Sequence, residues 1–202
     1  MNKVKNLNTQ SVLAMRDSGY YSRRTIGAKI AIDNMLPLME KALKEIPKLP
    51  ILRMADFGSA DGGTSQEMWC NLISKIRNSK DDRQIEILYT DLASNDFSTL
   101  FKTMQGMQGH PELSFQNKFS NVFVHGCGTG FHQQLMSSGT LSLGFSATAM
   151  HYISEKPCQI KNHVHMVGAS SNEKTKFEEQ ALKDWESILL SRSEELSKGG
   201  RF

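Results

Sequence analysis

The chain has 202 residues, 39% hydrophobic and 22% charged, with 15 glycines and 5 prolines. That balance excludes a disordered, collagenous or disulfide-scaffold chain and fits a globular protein with its own core. The formal charge of +3 is spread without a basic block, so no nucleic-acid partner is expected. No apolar run reaches the roughly 18–20 residues that span a bilayer, and the N-terminus lacks the apolar stretch of a secretory signal. Three cysteines without CxxC spacing, Cys70, Cys127 and Cys158, predict a reducing, cytoplasmic setting and no structural zinc.

In chain order, helical spacing of apolar residues runs from about Thr25 to Glu45. Pro37 inside it predicts a kink or break near Leu36. The apolar run Ile51 to Phe57, closed by Gly58, predicts a buried strand. A helix follows from Thr64 to about Ile76, then a polar turn and a second strand, Ile85 to Tyr89. Ser94 or Asn95 is the expected cap of a helix carrying Phe97, Leu100, Phe101 and Met104. Residues 105–119 read as loop, Asn121 to His125 as a third strand and Thr140 to Phe145 as a fourth. The last helix is expected to start near Ser170, whose partner Glu173 completes a capping box. Its apolar face would comprise Phe177, Ala181, Trp185, Ile188, Leu189 and Leu196, with Gly199-Gly200 as its stop and Arg201-Phe202 opening another strand.

Alternating strands and helices predict an α/β fold with a mainly parallel sheet, which binds ligands at the carboxyl ends of its strands. The first end, Asp56 to Thr64, is glycine-rich but lacks the G-x-G-x-x-G pattern, which counts against a dinucleotide-dependent oxidoreductase. Asp56 and Asp61 would repel phosphate and suit a ligand with a positive amino group. Taken alone, the segment also reads as a plain strand-to-helix turn. Asp91, ending the second strand, is placed to accept ribose hydroxyls, or it is a capping residue. Together the two ends describe a site for a phosphate-free adenosine ligand such as S-adenosylmethionine.

Ala55-Asp56-Phe57-Gly58-Ser59-Ala60-Asp61-Gly62 and Asp91-Leu92-x-x-Asn95-Asp96-Phe97-x-x-Leu100-Phe101 resemble the two cofactor motifs of the SABATH methyltransferases. Val12-Leu13-x-Met15 with Gly19-Tyr20-Tyr21-Ser22 is similar to the family's N-terminal segment. Gly130-Phe131-x-x-x-Leu135 and Ser146 to Pro157 are similar to its adenine and acceptor block. The resemblance implies a Rossmann-like methyltransferase fold over residues 25–202 and a lid of residues 1–24 closing over S-adenosylmethionine. It implies cofactor contacts from Tyr20, Asp56, Gly58, Ser59, Asp61, Asp91, Leu92, Gly130 and Phe131, and acceptor contacts from Thr148, His151 and Tyr152. Thr148 stands where the family usually has tyrosine, and Tyr152 where it has tryptophan. That tryptophan helps to hold the acceptor carboxylate, and the family's N-terminal glutamine, the other clamp, aligns with Gly27, so both clamp positions are altered.

The implied activity is methyl transfer to a small-molecule acceptor, chiefly a carboxylate oxygen. An ionised carboxylate needs no general base, so no catalytic side chain and no metal are expected, and catalysis rests on alignment. His163 and His165 alternate on what reads as a strand, without a carboxylate or cysteine pattern to complete a metal site. The alternatives are an incomplete or non-catalytic cofactor-binding module working with a partner chain, and N-methylation of a heterocycle. A homodimer is open to either. Family members are longer, so the chain is expected to be the cofactor-binding part of a methyltransferase, truncated before the last strands and helical cap.

Overall fold

A computed structural model describes residues 19–202. Val12, Leu13 and Met15, and the lid segment before Gly19, lie outside the described residues. Three helices come first: α1 (Tyr20–Arg24), α2 (Ile26–Asp33) and α3 (Leu36–Glu45). The break between α2 and α3 falls where Pro37 predicts it, in the first turn of α3, where a missing N–H costs nothing. There follow β1 (Ile51–Phe57), α4 (Gln66–Asn78), β2 (Gln84–Thr90), α5 (Phe97–Met104), α6 (Phe115–Lys118), β3 (Val122–Cys127), β4 (Leu141–Phe145), α7 (Ser171–Glu195) and β5 (Leu196–Arg201).

The five strands form one parallel sheet in the order β3-β2-β1-β4-β5. The chain steps outward from β1 to β3 and then returns to lay β4 beside β1, so strand order reverses between β1 and β4. In open α/β sheets that crevice receives ligands. Alternation along the strands separates two apolar layers. Leu52, Met54, Ile85, Ile87 and Tyr89 pack with the α2–α6 side in the larger core. Ala55, Phe57 and Leu141 pack on the other face with Phe131, Leu135, Met136, Met150 and Leu196.

Four details differ from the sequence reading. The cap of α5 is Asp96, whose carboxylate accepts the Thr99 N–H at 3.0 Å. Asn95, freed from capping, donates to the Ala60 carbonyl at 2.8 Å. Residues 105–119 are not wholly loop, because a short 3-10 turn (Pro111–Leu113) and α6 lie within them. His163 and His165 stand in the turn before a second 3-10 segment (Met166–Gly168), not on a strand. Among the described residues, no group of three or more His, Cys, Asp and Glu could hold a metal ion.

The fourth difference concerns the last helix. Its capping box at Ser170 and Glu173 is present, but the helix ends at Glu195, and Leu196 already pairs with Leu141 in the sheet. Gly199 and Gly200 lie within β5, where a side chain on Gly200 would strike the Leu141 carbonyl at 2.6 Å. Of the predicted apolar face only Phe177 and Ile188 are buried, while Trp185 and Leu189 are 47% and 43% exposed. The buried stripe instead holds Gln180, Asp184, Arg192 and Glu195. These polar groups turn inward because loop atoms await them. Asp184 accepts from the Ser154 N–H and hydroxyl, both at 2.7 Å, which ties the 146–154 segment to the helix.

Candidate functional site

At the carboxyl end of β1 the chain turns on Gly58, whose φ of +83° strains any residue with a side chain. A Cβ there would lie 2.2 Å from the Ala149 Cβ. Glycine is thus required by both conformation and space, at the point where the β1 and β4 loops meet. The Gly58 and Ser59 N–H groups donate to the Thr90 carbonyl at 2.9 and 3.0 Å, and the Ser59 hydroxyl donates to the same oxygen. The β1 and β2 ends are therefore locked in register.

Asp91 stands half-buried just beyond β2. One carboxylate oxygen accepts the Ala60 N–H at 2.7 Å and the other the Leu92 N–H at 2.8 Å. Burial pushes its carboxyl above the usual range, and the two N–H donors work against that shift. Each oxygen retains a further lone pair for a hydroxyl donor. Ala60 itself holds a φ of +48°, an uncommon conformation for a residue other than glycine and of the kind found where a backbone is shaped for a ligand.

Asp56 is buried beneath the loop. Its Oδ2 accepts from the Ser65 hydroxyl at 2.6 Å and the Trp69 indole N–H at 3.2 Å. Burial dominates its titration and pushes it up to about 6, with Asp91 adding repulsion and the two donors pulling it down. Asp61 accepts the Ser22 N–H and the Gly63 N–H, each at 3.1 Å, and so fastens α1 onto the glycine loop.

The opposite wall is apolar. A Cβ on Gly130 would sit 3.4 Å from Leu92 Cδ2, and one on Gly58 would sit 3.6 Å from the Phe131 ring. Leu92 therefore lies against Gly130, and Phe131 against Gly58. The Phe131 ring also leans on His132, with centroids 4.7 Å apart, and burial holds the His132 imidazole below its usual value.

Beyond β4, Thr148 has a φ of +54°, a strained value for a β-branched residue. Its hydroxyl shares a 3.2 Å hydrogen bond with the Tyr21 hydroxyl. Tyr21, Ile32, Asp56, Gly58, Ser59, Thr64, Ser65, Ala147 and Thr148 line one small cleft beneath α1. The cleft brings together Asp56, Gly58, Ser59 and Thr148. Tyr21 also lines it, while Tyr20 is 39% exposed with the Arg24 guanidinium 5.9 Å above its ring. His151 and Tyr152 stack on each other at 4.3 Å, and both are exposed. Thr64, Ser65 and Ala147 carry no signal in the sequence beyond their neighbours, and Tyr21 stands out there only as one of two adjacent tyrosines. A separate hollow of about 430 Å³ opens on the sheet face beside Arg53, Glu86 and His125, towards the middle of the strands.

Within the Asp56–Ser65 loop there is no basic side chain, and its carboxylates disfavour the phosphates of a dinucleotide. A family model described as SAM dependent carboxyl methyltransferase matches residues 15–202. Methyltransferase FUS9 of Gibberella moniliformis is 29% identical, over 92% of this chain and 49% of its own length. The salicylate/benzoate carboxyl methyltransferase of Arabidopsis thaliana is 30% identical, over 74% of this chain and 41% of its own. The solved structure of loganic acid methyltransferase with SAH superposes with a TM-score of 0.71 at 20% identity, covering 93% of this chain and 56% of that one. That likeness establishes the fold. The chain spans about half the length of the curated relatives it matches.

Proposed function

Because the chain belongs to the SAM dependent carboxyl methyltransferase family, we propose that it binds S-adenosylmethionine at the carboxyl ends of β1 and β2 and serves methyl transfer to a small-molecule carboxylate. The observation that carries this reading is the Asp91 carboxylate, fixed by two backbone N–H groups with a lone pair left on each oxygen. Asp91 would hold the ribose hydroxyls, while Leu92 and Phe131 would enclose the adenine. Gly58, Ser59 and the ionised form of Asp56 would border the methionine end. Tyr20 or Tyr21, on the segment of residues 1–24 acting as lid, would close over it.

When bound, the cofactor supplies an activated methyl group on a sulfonium. The residues of this chain contribute alignment and exclusion of water, with no general base required. Thr148, His151 and Tyr152 would face the acceptor. Three free cysteines, Cys70, Cys127 and Cys158, support a reducing, cytoplasmic setting. Among the described residues no helix is long and apolar enough to cross a membrane.

A second reading is favoured by the exposure of His151 and Tyr152: a cofactor-binding unit whose acceptor pocket is completed by further protein. A methyl-transfer assay with labelled S-adenosylmethionine over a panel of small carboxylic acids separates the two. Methyl ester formation by the 202-residue chain supports the enzyme reading. Cofactor binding without turnover on any acid supports the unit that needs completion.

A further inference from the structure

The polar stripe of α7 has a second cluster, at its carboxyl end. Arg192 and Glu195 form an ion pair with side chains 1% and 0% exposed. Arg192 Nε and Nη2 donate to the two Glu195 oxygens, both at 2.7 Å. The other bonds of the pair end on one loop. Arg192 donates to the Phe131 and Gln133 carbonyls, each at 2.8 Å. Glu195 accepts the N–H groups of Leu135 and, at 3.2 Å, Met136. The guanidinium also lies 4.3 Å over the Phe57 ring at the end of β1. Further along, the Gly139 and Thr140 N–H groups donate to the Glu194 and Glu195 carbonyls, so the helix end holds the whole 131–140 return.

Burying two charges is costly, and a buried pair is weak evidence for stability in itself. A pair that satisfies four backbone groups of a single loop has a positional consequence: that loop has one conformation available to it. Phe131, at its start, is the aromatic ring beside Gly58. We propose that Arg192 and Glu195 are positioning residues that fix the 131–136 loop, and through it the Phe131 ring, against the adenine side of the cofactor site. The proposal rests on the cofactor reading above and adds a group more than 60 residues away in sequence to it.

The test replaces both partners at once, Arg192→Met with Glu195→Leu, so that neither charge is left buried alone. S-adenosylhomocysteine affinity is measured by calorimetry in this variant, in Phe131→Ala, in their combination and in the unaltered chain, with amide exchange at Leu135 and Met136 followed in parallel. Positioning through Phe131 predicts faster exchange at both amides. It also predicts a loss of affinity of about tenfold that largely disappears in the Phe131→Ala background. An equal loss in both backgrounds, or unchanged exchange, overturns the proposal. If the double replacement does not fold, Arg192→Lys keeps a charge for Glu195 but cannot reach both carbonyls, and the same cycle is run with it. If the unaltered chain binds no ligand, the cofactor reading fails, while amide exchange still decides whether the pair holds the loop.

Discussion

Asp91 and Ala60 are joined across the ends of two strands, the carboxylate of one accepting the N–H of the other at 2.7 Å. Asn95 reinforces the link by donating to the Ala60 carbonyl at 2.8 Å. The residue assigned to the ribose therefore also shapes the loop assigned to the methionine end. A carboxylate that accepts two N–H bonds is already oriented before any ligand arrives, which lowers the entropic cost of binding.

Asp91→Ala should weaken S-adenosylhomocysteine binding by about 1.5–3 kcal/mol, the range for hydrogen bonds to a charged group. Calorimetry measures it. An affinity equal to that of the unaltered chain would place the ribose elsewhere.

Asp56 carries a pH signature. Its carboxyl titrates near 6 in the folded chain against an ordinary value of 3.8, so the folded state holds the proton more tightly. Its contribution to stability is greatest below about pH 4, falls as pH rises to about 6 and is constant above that, a change on the order of 3 kcal/mol. Asp56→Asn keeps an acceptor for Ser65 and Trp69 and removes the titration. Urea unfolding at pH 4.5 and pH 7 should show the variant gaining relative to the unaltered chain at the higher pH. A difference between the two proteins that does not change with pH would contradict the assignment.

Much of this was legible in the sequence, and the division has physical causes. The ends of β1 and β2 were readable because apolar runs stop at Gly58 and at Asp91, where strand physics gives way to turn chemistry. The break before α3 was readable because Pro37 permits few alternatives. The inward face of α7 was not, since Gln180, Asp184, Arg192 and Glu195 are polar residues that helices ordinarily turn to solvent. Their partners are largely loop backbone atoms, which leave no mark on a sequence. Tyr20 and Tyr21 are adjacent, and the roughly 100° turn per helical residue decides which enters the cleft. The Asp61–Ser22 and Tyr21–Thr148 bonds hold α1 with Tyr21 in the cleft lining.

Gly58→Ala should destabilise the fold by about 2–4 kcal/mol, combining a left-handed φ with overpacking against Ala149. The midpoint of urea unfolding measures the change. A midpoint within error of the unaltered chain would mean the β1 and β4 loops do not meet as described.

Tyr21→Phe removes the hydrogen bond to Thr148 that ties α1 over the cleft. A ligand entering beneath α1 must break that bond, so association of S-adenosylhomocysteine should quicken about two- to tenfold. Stopped-flow tryptophan fluorescence, with Trp69 beside Asp56 as reporter, follows the rate. An unchanged rate would indicate entry from another side.

The most direct test of the cofactor assignment is calorimetric titration of the folded 202-residue chain with S-adenosylhomocysteine, beside Asp91→Ala under the same conditions. The account predicts saturable one-to-one binding by the unaltered chain and a clear loss of affinity in the variant. No detectable binding by the folded chain, or equal binding by both proteins, would contradict it.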